Sequence, residues 1–201
     1  MPRLYLVRHA PTPETGKKLT GRMPGVGLSP DGVEVAQATA AALSGPEIVA
    51  VYSSPVLRCK ETARIVAVPH RLDPVAYRSL IEVDYGTWAG RSLASLQRAK
   101  AWKELLVAPS RFRFPGGERL GEVSVRAVRA CEELATAHPR GAIALVTHGD
   151  VIKAALAHYL GSPTDLFGRI HVAPGSWSIL DLAPGAMPRV VAINRTAAEE
   201  K

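Results

Sequence analysis

Two histidines in this 201-residue chain each end an apolar run. Leu4-Tyr5-Leu6-Val7 stops on Arg8-His9-Ala10, and Ile143-Ala144-Leu145-Val146 stops on Thr147-His148-Gly149. A neutral imidazole is a nucleophile, whereas an imidazolium is not. A guanidinium is a planar donor for oxyanions. Side by side, Arg8 lowers the pKa of His9 by charge repulsion. That repulsion becomes useful when an anion lies between the two groups. A histidine after a strand often has only a structural role, so it is the pairing with Arg8 that points to chemistry.

Apolar periodicity and turn signals indicate what positions these residues. Leu4–Val7 reads as a strand and the polar stretch Pro11–Leu28 as a long loop, a kind of loop that is usually functional. Ser29 caps a helix that starts at Pro30 and runs to about Leu43. Ile48–Tyr52 is a second strand. Ser54-Pro55 opens a helix that carries Arg58 to about Ala67. Leu72–Ile81 contains a third strand, Leu93–Val107 is helical, and Arg111–Arg119 is a loop. Leu120–Ala137 is a long helix, Ile143–Val146 a strand and Asp150–Leu160 a helix. Ser176–Leu182 and Val190–Asn194 are the last two strands, and 197–201 is a frayed end. Strands alternating with helices imply an α/β fold with a mostly parallel sheet. Ligands bind such sheets beyond the carboxyl ends of the strands, where His9 and His148 both lie.

Composition narrows the function classes. Hydrophobic residues make up 47% and charged residues 21%, as in an ordinary packed domain. The net charge is +7, but Arg and Lys are dispersed, with no basic block and no nucleic-acid-binding signature. An anionic small molecule suits this charge better than nucleic acid. No apolar run is long enough to span a bilayer and no signal peptide is visible, so the expectation is a cytoplasmic protein without a membrane partner. Cys59 and Cys131 show no metal-ligand spacing and read as buried reduced thiols.

Five segments in order, LVRHAPT, SSPVLRCKETA, LIEVDYGTWAG, FPGGER and LVTHGDVI, resemble the histidine phosphatase superfamily, also called the phosphoglycerate mutase-like family. The resemblance spans Leu4 to about Leu160. It implies a three-layer α/β/α sandwich formed as a single domain over 1–201, with a substrate-covering helical insertion at about 92–121. It also implies roles for individual residues. His9 matches the nucleophile that becomes phosphohistidine, and Arg8 and Arg58 match the phosphate-binding arginines. His148 matches the second histidine, which contacts the transferring oxygens. Glu82 matches the acid that protonates the leaving oxygen.

These residue types make sense without the family. Phosphoryl transfer needs positioning and cancellation of charge on the equatorial oxygens, which two Arg forks and a histidine can supply. An alkoxide leaving group needs a proton, which a carboxylic acid with a raised pKa can give. The residues alone leave Glu82 and Asp84 both open for that role, since they lie two apart on an extended stretch; the family spacing gives Glu82. Arginines supply the positive charge, so neither a metal nor a cofactor is expected. His70, His138, His158 and His171 read as surface or structural residues.

The sequence departs from the family pattern at two places. Ala10 stands where Gly is usual, and Thr15 stands where many members carry a phosphate-binding Asn; Thr15, or Thr12, is the candidate for that contact, which the departure leaves open. Arg22 and Gly149 are expected at the substrate; Lys17, Lys18, Arg111 and Arg113 are further cations that can meet a second anionic group or remain solvated. The expected activity is hydrolysis of a small phosphorylated metabolite through a phosphohistidine. The alternatives are a cofactor-dependent phosphoglycerate mutase or other phosphomutase, and a regulatory phosphohistidine phosphatase or phospho-ligand-binding member. The Glu82-Val83-Asp84-Tyr85-Gly86 stretch differs from the Glu-Arg-His-Tyr-Gly run typical of the mutases and favours the phosphatase. A homodimer is the expected assembly.

Overall fold

The computed structural model describes residues 2–183 and 185–200. In chain order its main elements are β1 (Arg3–Arg8), α1 (Pro30–Ala42), β2 (Ile48–Ser53), α2 (Leu57–Ala67), β3 (Val75–Ala76), α3 (Leu93–Gln97), α4 (Lys100–Val107), α5 (Leu120–Ala137), β4 (Ala142–Thr147), α6 (Gly149–Tyr159), β5 (Trp177–Asp181) and β6 (Arg189–Arg195). Among the described residues the strands form one sheet in the order β3-β2-β4-β1-β5-β6. β1 to β4 run parallel, and β5 and β6 are added antiparallel.

Successive strand side chains point to opposite faces, and this alternation makes the layers. Leu4, Leu6, Ile143, Leu145 and Leu180 pack on one face with α5 and α6. Tyr5, Val7, Val51, Ala144, Val146 and Trp177 pack on the other with Cys59, Ala63 and Val66 of α2. α1 lies beside α2. The result is the expected α/β/α sandwich. No helix among the described residues is long and apolar enough to cross a membrane.

Register brings the two histidines together. Leu6 pairs with Leu145 and Arg8 with Thr147 in the β1–β4 ladder. The His9 N–H donates to the Thr147 carbonyl at 2.9 Å. Both strands therefore end at one level, and both imidazoles emerge at the same edge.

Several expected boundaries differ. The third strand is only Val75–Ala76, and the chain then turns through a 3-10 segment at Arg78–Leu80. The helix expected over Leu93–Val107 is two helices, broken where Ala99 turns extended. The break lets Leu96 enter the core while Trp102 stacks on Trp88 at 5.9 Å. α2 begins at Leu57, not at Ser54-Pro55; the Ser54 hydroxyl pairs with His148 and accepts the Val56 N–H just before the helix. At the carboxyl end, Ala197–Glu200 forms a 3-10 turn where fraying was expected; Lys201 lies outside the described residues.

The stretch that carries Glu82 belongs to no strand, and its backbone is held by side chains. Arg126 donates to the carbonyls of Ser79, Ile81 and Glu82 at 2.9, 2.6 and 3.2 Å. Glu118 accepts from the Asp84 N–H at 2.9 Å, and its own N–H returns a bond to the Asp84 carbonyl. Gly86, at φ +53°, then passes so close to the FPGGER loop that an added Cβ would stand 2.1 Å from the Pro115 carbonyl oxygen. Only glycine fits there. Replacement by alanine should therefore strain the clamp by about 1–3 kcal/mol. Urea unfolding of Gly86→Ala tests this, and a midpoint equal to that of the native chain would show that the close approach is not maintained.

Candidate active site

A cavity of about 320 Å³ opens above the carboxyl ends of β1 and β4. Arg8, His9, Arg58, Glu82 and Gly149 line it, with Thr12 and Thr15 from the long loop. Arg58 projects from the first turn of α2 and is 1% exposed. Its Nε donates to His9 Nε2 at 3.0 Å, and its Nη2 reaches the Gly21 carbonyl at 2.8 Å and His148 Nδ1 at 3.0 Å.

These bonds fix the tautomer of His9. Arginine only donates, so His9 Nε2 accepts and carries the lone pair. His9 Nδ1 then holds the proton and donates it to the Ala10 carbonyl at 2.8 Å. Burial holds the imidazole well below its ordinary pKa, and the charges of Arg58 and Arg8 push the same way. His9 is thus a neutral base at physiological pH, oriented by its own backbone. His148 is also held well below its ordinary pKa by burial and by Arg58. Its Nε2 pairs with the Ser54 hydroxyl at 2.8 Å. It lies behind Arg58, fully buried, outside the cavity wall.

The two guanidinium groups that line the cavity each carry a buried nitrogen without a partner. Arg8 Nη1 donates to the Val172 carbonyl, but its Nε has no partner, and neither does Arg58 Nη1. Buried donors without partners are rare. Here both belong to cations around one cavity, so an anion would complete them. The amino terminus of α6 adds to this field. Gly149 lets that terminus close onto Arg8, since a Cβ there would stand 3.2 Å from Arg8 Nε.

Glu82 is the candidate for the acid. Its Oε1 accepts from the Val83 N–H at 2.9 Å, while Oε2 lies 3.4 Å from His148 Nδ1 and 3.7 Å from Arg58 Nη2. Burial, followed by the charge of Asp150, pushes its pKa up to about 7 against the opposing pull of Arg58. The geometry separates Glu82 from Asp84. The Asp84 carboxylate is about half exposed, accepts from Arg22 and the Gly86 N–H, and stands outside the cavity wall.

Other expected residues take different places. Arg22 is absent from the cavity wall; its guanidinium donates to the Glu82 carbonyl at 2.8 Å and pairs with Asp84 and Glu118. It holds the Glu82 backbone from the loop side. Thr15 Oγ1 accepts from the Thr12 N–H at 2.9 Å and lies 3.2 Å from the Thr12 hydroxyl, so the two threonines brace one another at the rim. His138 pairs with the Tyr52 hydroxyl, and His70, His158 and His171 stand away from this cavity. Of the extra cations, Lys18 lines the cavity, paired with Glu14 at 3.2 Å.

Among the lining residues not singled out from the sequence, Tyr85, Asp150 and Lys153 form one polar network. The Tyr85 hydroxyl donates to Asp150 Oδ2 at 2.8 Å, and Lys153 Nζ lies 3.4 Å from Asp150 Oδ1. Asp150 and Lys153 follow Gly149 on the first turns of α6, so the spacing after THG was the available signal.

Comparison with known proteins gives a consistent picture. The profile of the Histidine phosphatase superfamily (branch 1) matches residues 4–196. Phosphoserine phosphatase 1 of Hydrogenobacter thermophilus is 28% identical over 188 residues, covering 90% of this chain and 87% of that protein. The probable phosphoglycerate mutase GpmB of Proteus mirabilis is 30% identical over 186 residues, covering 90% and 85%. Among solved structures, YhfR of Bacillus stearothermophilus superposes with a TM-score of 0.85 at 28% identity, covering 96% of each chain.

The unpaired donors predict that the free protein binds inorganic phosphate, measurable by calorimetry. Arg58→Ala should weaken that binding roughly 10–100-fold, because a hydrogen bond to a charged group is worth about 1.5–3 kcal/mol. Unchanged affinity in Arg58→Ala would place the anion elsewhere.

Proposed function

The chain belongs to the histidine phosphatase superfamily, and from that premise we propose that it is a phosphatase that hydrolyses a small phosphomonoester through a phosphohistidine on His9. The observation that carries this reading is the His9 Nε2 lone pair, held in a cavity with two unpaired guanidinium donors and a carboxyl group of raised pKa.

The geometry supports the following course of reaction. A phosphomonoester enters between His9 and Arg58, and its oxygens replace His9 Nε2 as the acceptor for Arg58. Arg8, Arg58 and the α6 terminus then surround the equatorial oxygens. His9 Nε2 attacks phosphorus in line with the ester oxygen. Protonated Glu82 donates its proton to that oxygen as the P–O bond breaks. The alcohol leaves, and the resulting Glu82 carboxylate takes a proton from water as the water attacks phosphohistidine. Phosphate departs and His9 is regenerated.

The phosphatase and mutase names among the relatives leave one alternative, transfer of the phosphoryl back onto the substrate. The two activities separate on a panel of phosphorylated metabolites assayed with and without a bisphosphoglycerate primer. Free phosphate released independently of primer supports hydrolysis; isomerisation that needs primer supports the mutase.

Two outcomes test the mechanism. Rapid quenching with labelled substrate should trap acid-labile, base-stable phosphate on His9, and His9→Ala should abolish both the adduct and turnover. Full activity in that variant would remove His9 from the chemistry.

Glu82 must be protonated to act on the leaving group, so phosphorylation by an alkyl phosphate should decline as pH rises through about 7. Nitrophenyl phosphate, whose leaving group needs no proton, should lack that decline. Glu82→Gln should slow the alkyl phosphate burst by roughly 10²–10⁴-fold and affect the nitrophenyl burst far less. The same pattern in Asp84→Asn, with Glu82→Gln near native, would make Asp84 the acid.

A further inference from the structure

A second cavity, of about 290 Å³, opens against the first. The two share Leu19, Tyr85, Asp150 and Lys153 as a common wall. Beyond this waist the lining becomes mainly apolar, with Trp102, Leu105, Leu106, Pro109, Phe114 and Phe167; the one further charged side chain there, Asp165, accepts the Ser110 N–H at 2.8 Å. Each cavity lies near the lower end of the roughly 300–1,000 Å³ of small-molecule sites, and joined they fall well within it.

The apolar half is built of braced rings. Trp102 stacks on Trp88 at 5.9 Å, and Phe114 meets Tyr85 edge-on at 4.9 Å. Tyr85 thus belongs to both halves, its ring against Phe114 and its hydroxyl on Asp150. Leu106 is 64% exposed although it lines the cavity, which leaves an apolar side chain at the rim for a ligand to cover.

The waist also restricts a second anion. Lys153 is the cation shared by the two cavities, and it is already held, with Nζ 3.4 Å from Asp150 Oδ1 and 5.6 Å from the centre of the Phe167 ring. The Asp150 carboxylate beside it repels an incoming carboxylate or second phosphate. A polar uncharged group or a hydrocarbon passes this point more easily than a second anionic group.

We propose that this second cavity binds the leaving alcohol, and that the substrates are phosphomonoesters whose alcohol carries an apolar, ring-bearing group a short chain away from the ester oxygen. The proposal rests on the phosphatase reading for which end of the substrate is which. The phosphate occupies the cationic cavity, the ester oxygen faces Glu82, and the rest of the alcohol passes Asp150 and Tyr85 into the apolar half. A compact polar alcohol would leave Trp102, Leu106 and Phe167 in contact with water and would gain nothing from them. Removing such walls from water is the source of the added binding.

The test compares 3-phenylpropyl and n-propyl compounds, which share a chain and differ by one ring. In binding, the probes are the two phosphonates, whose C–P bond is not hydrolysed, measured by calorimetry. In turnover, they are the two phosphates, measured as kcat/KM. We expect the phenyl compound to be favoured on the order of tenfold or more in both, since a few apolar carbons in a fitted pocket are worth about that. Leu106→Asp, at an exposed position that the core does not depend on, should erase most of the preference; Phe167→Ser should act in the same direction. Equal binding of the two phosphonates to the native chain overturns the assignment. So does a preference that survives both substitutions. Absence of turnover with either phosphate, while the phosphonates still discriminate, would instead count against the phosphatase reading and leave the apolar site standing.

Discussion

The site is organised around a buried cation. Arg58 is 1% exposed, yet its guanidinium meets His9, His148 and the Gly21 carbonyl, with Glu82 Oε2 3.7 Å away. Burying a charge is costly unless it is paired and hydrogen-bonded. Among the protein groups the pairing is incomplete, because both imidazoles are neutral, the Glu82 pKa is pushed up to about 7 and one Arg58 nitrogen has no partner. On the proposed reading a phosphate dianion would supply countercharge. Burial, reinforced by the charge of Arg58, keeps both histidines neutral, and on the proposed reading the same guanidinium would draw the substrate to His9.

The rest of the fold serves the rigidity of that arrangement. The β1–β4 register places His9 and His148 at one sheet edge, and α2 delivers Arg58 between them. Glu82 has no strand to hold it and is fixed instead by Arg126, Arg22 and Glu118 acting on its flanking backbone. Thr147 joins the two systems, donating from the end of β4 to the Leu80 carbonyl at 2.6 Å. A carboxyl group placed this way keeps its distance from the ester oxygen without a regular element beneath it, which matters because proton transfer demands hydrogen-bond reach.

How much of this was legible in the sequence follows from the same physics. Arg8 and His9 announced themselves because a guanidinium beside an imidazole at a strand end is costly unless an anion lies between them, whereas His148, a lone histidine after a strand, needed the family pattern. Arg58 needed the family pattern, since an arginine on a helix is ordinarily solvated and nothing in its neighbours shows that it is buried. Glu82 and Asp84 were indistinguishable by period; burial of one and exposure of the other came from tertiary contacts. Arg22 looked like a substrate cation because its loop does line the site, while its actual partners lie about 60 and 96 residues away in sequence. The break between α3 and α4 was invisible for a related reason: residues 93–107 keep helical periodicity, and it is the packing of Leu96 and Trp102 against the core that forces the turn. Local pattern thus located the strand ends and their chemistry, and contacts distant in sequence decided which polar residue does what.

The division of the binding surface into a cationic and an apolar half bears on catalysis as well as on selectivity. Phosphate contacts are common to every phosphomonoester and can change little between the bound substrate and the transition state. Binding energy from a remote part of the substrate can instead hold the ester oxygen against the acid, an effect that appears in the rate of the chemical step. Tyr85 and Asp150 stand where such coupling would pass. Tyr85 packs on the apolar side and bonds to Asp150, whose charge helps keep Glu82 protonated. An alcohol seated against Tyr85, as proposed, would lie one hydrogen bond from the carboxylate that raises the Glu82 pKa, so recognition of the leaving group and its protonation would share the same side chains.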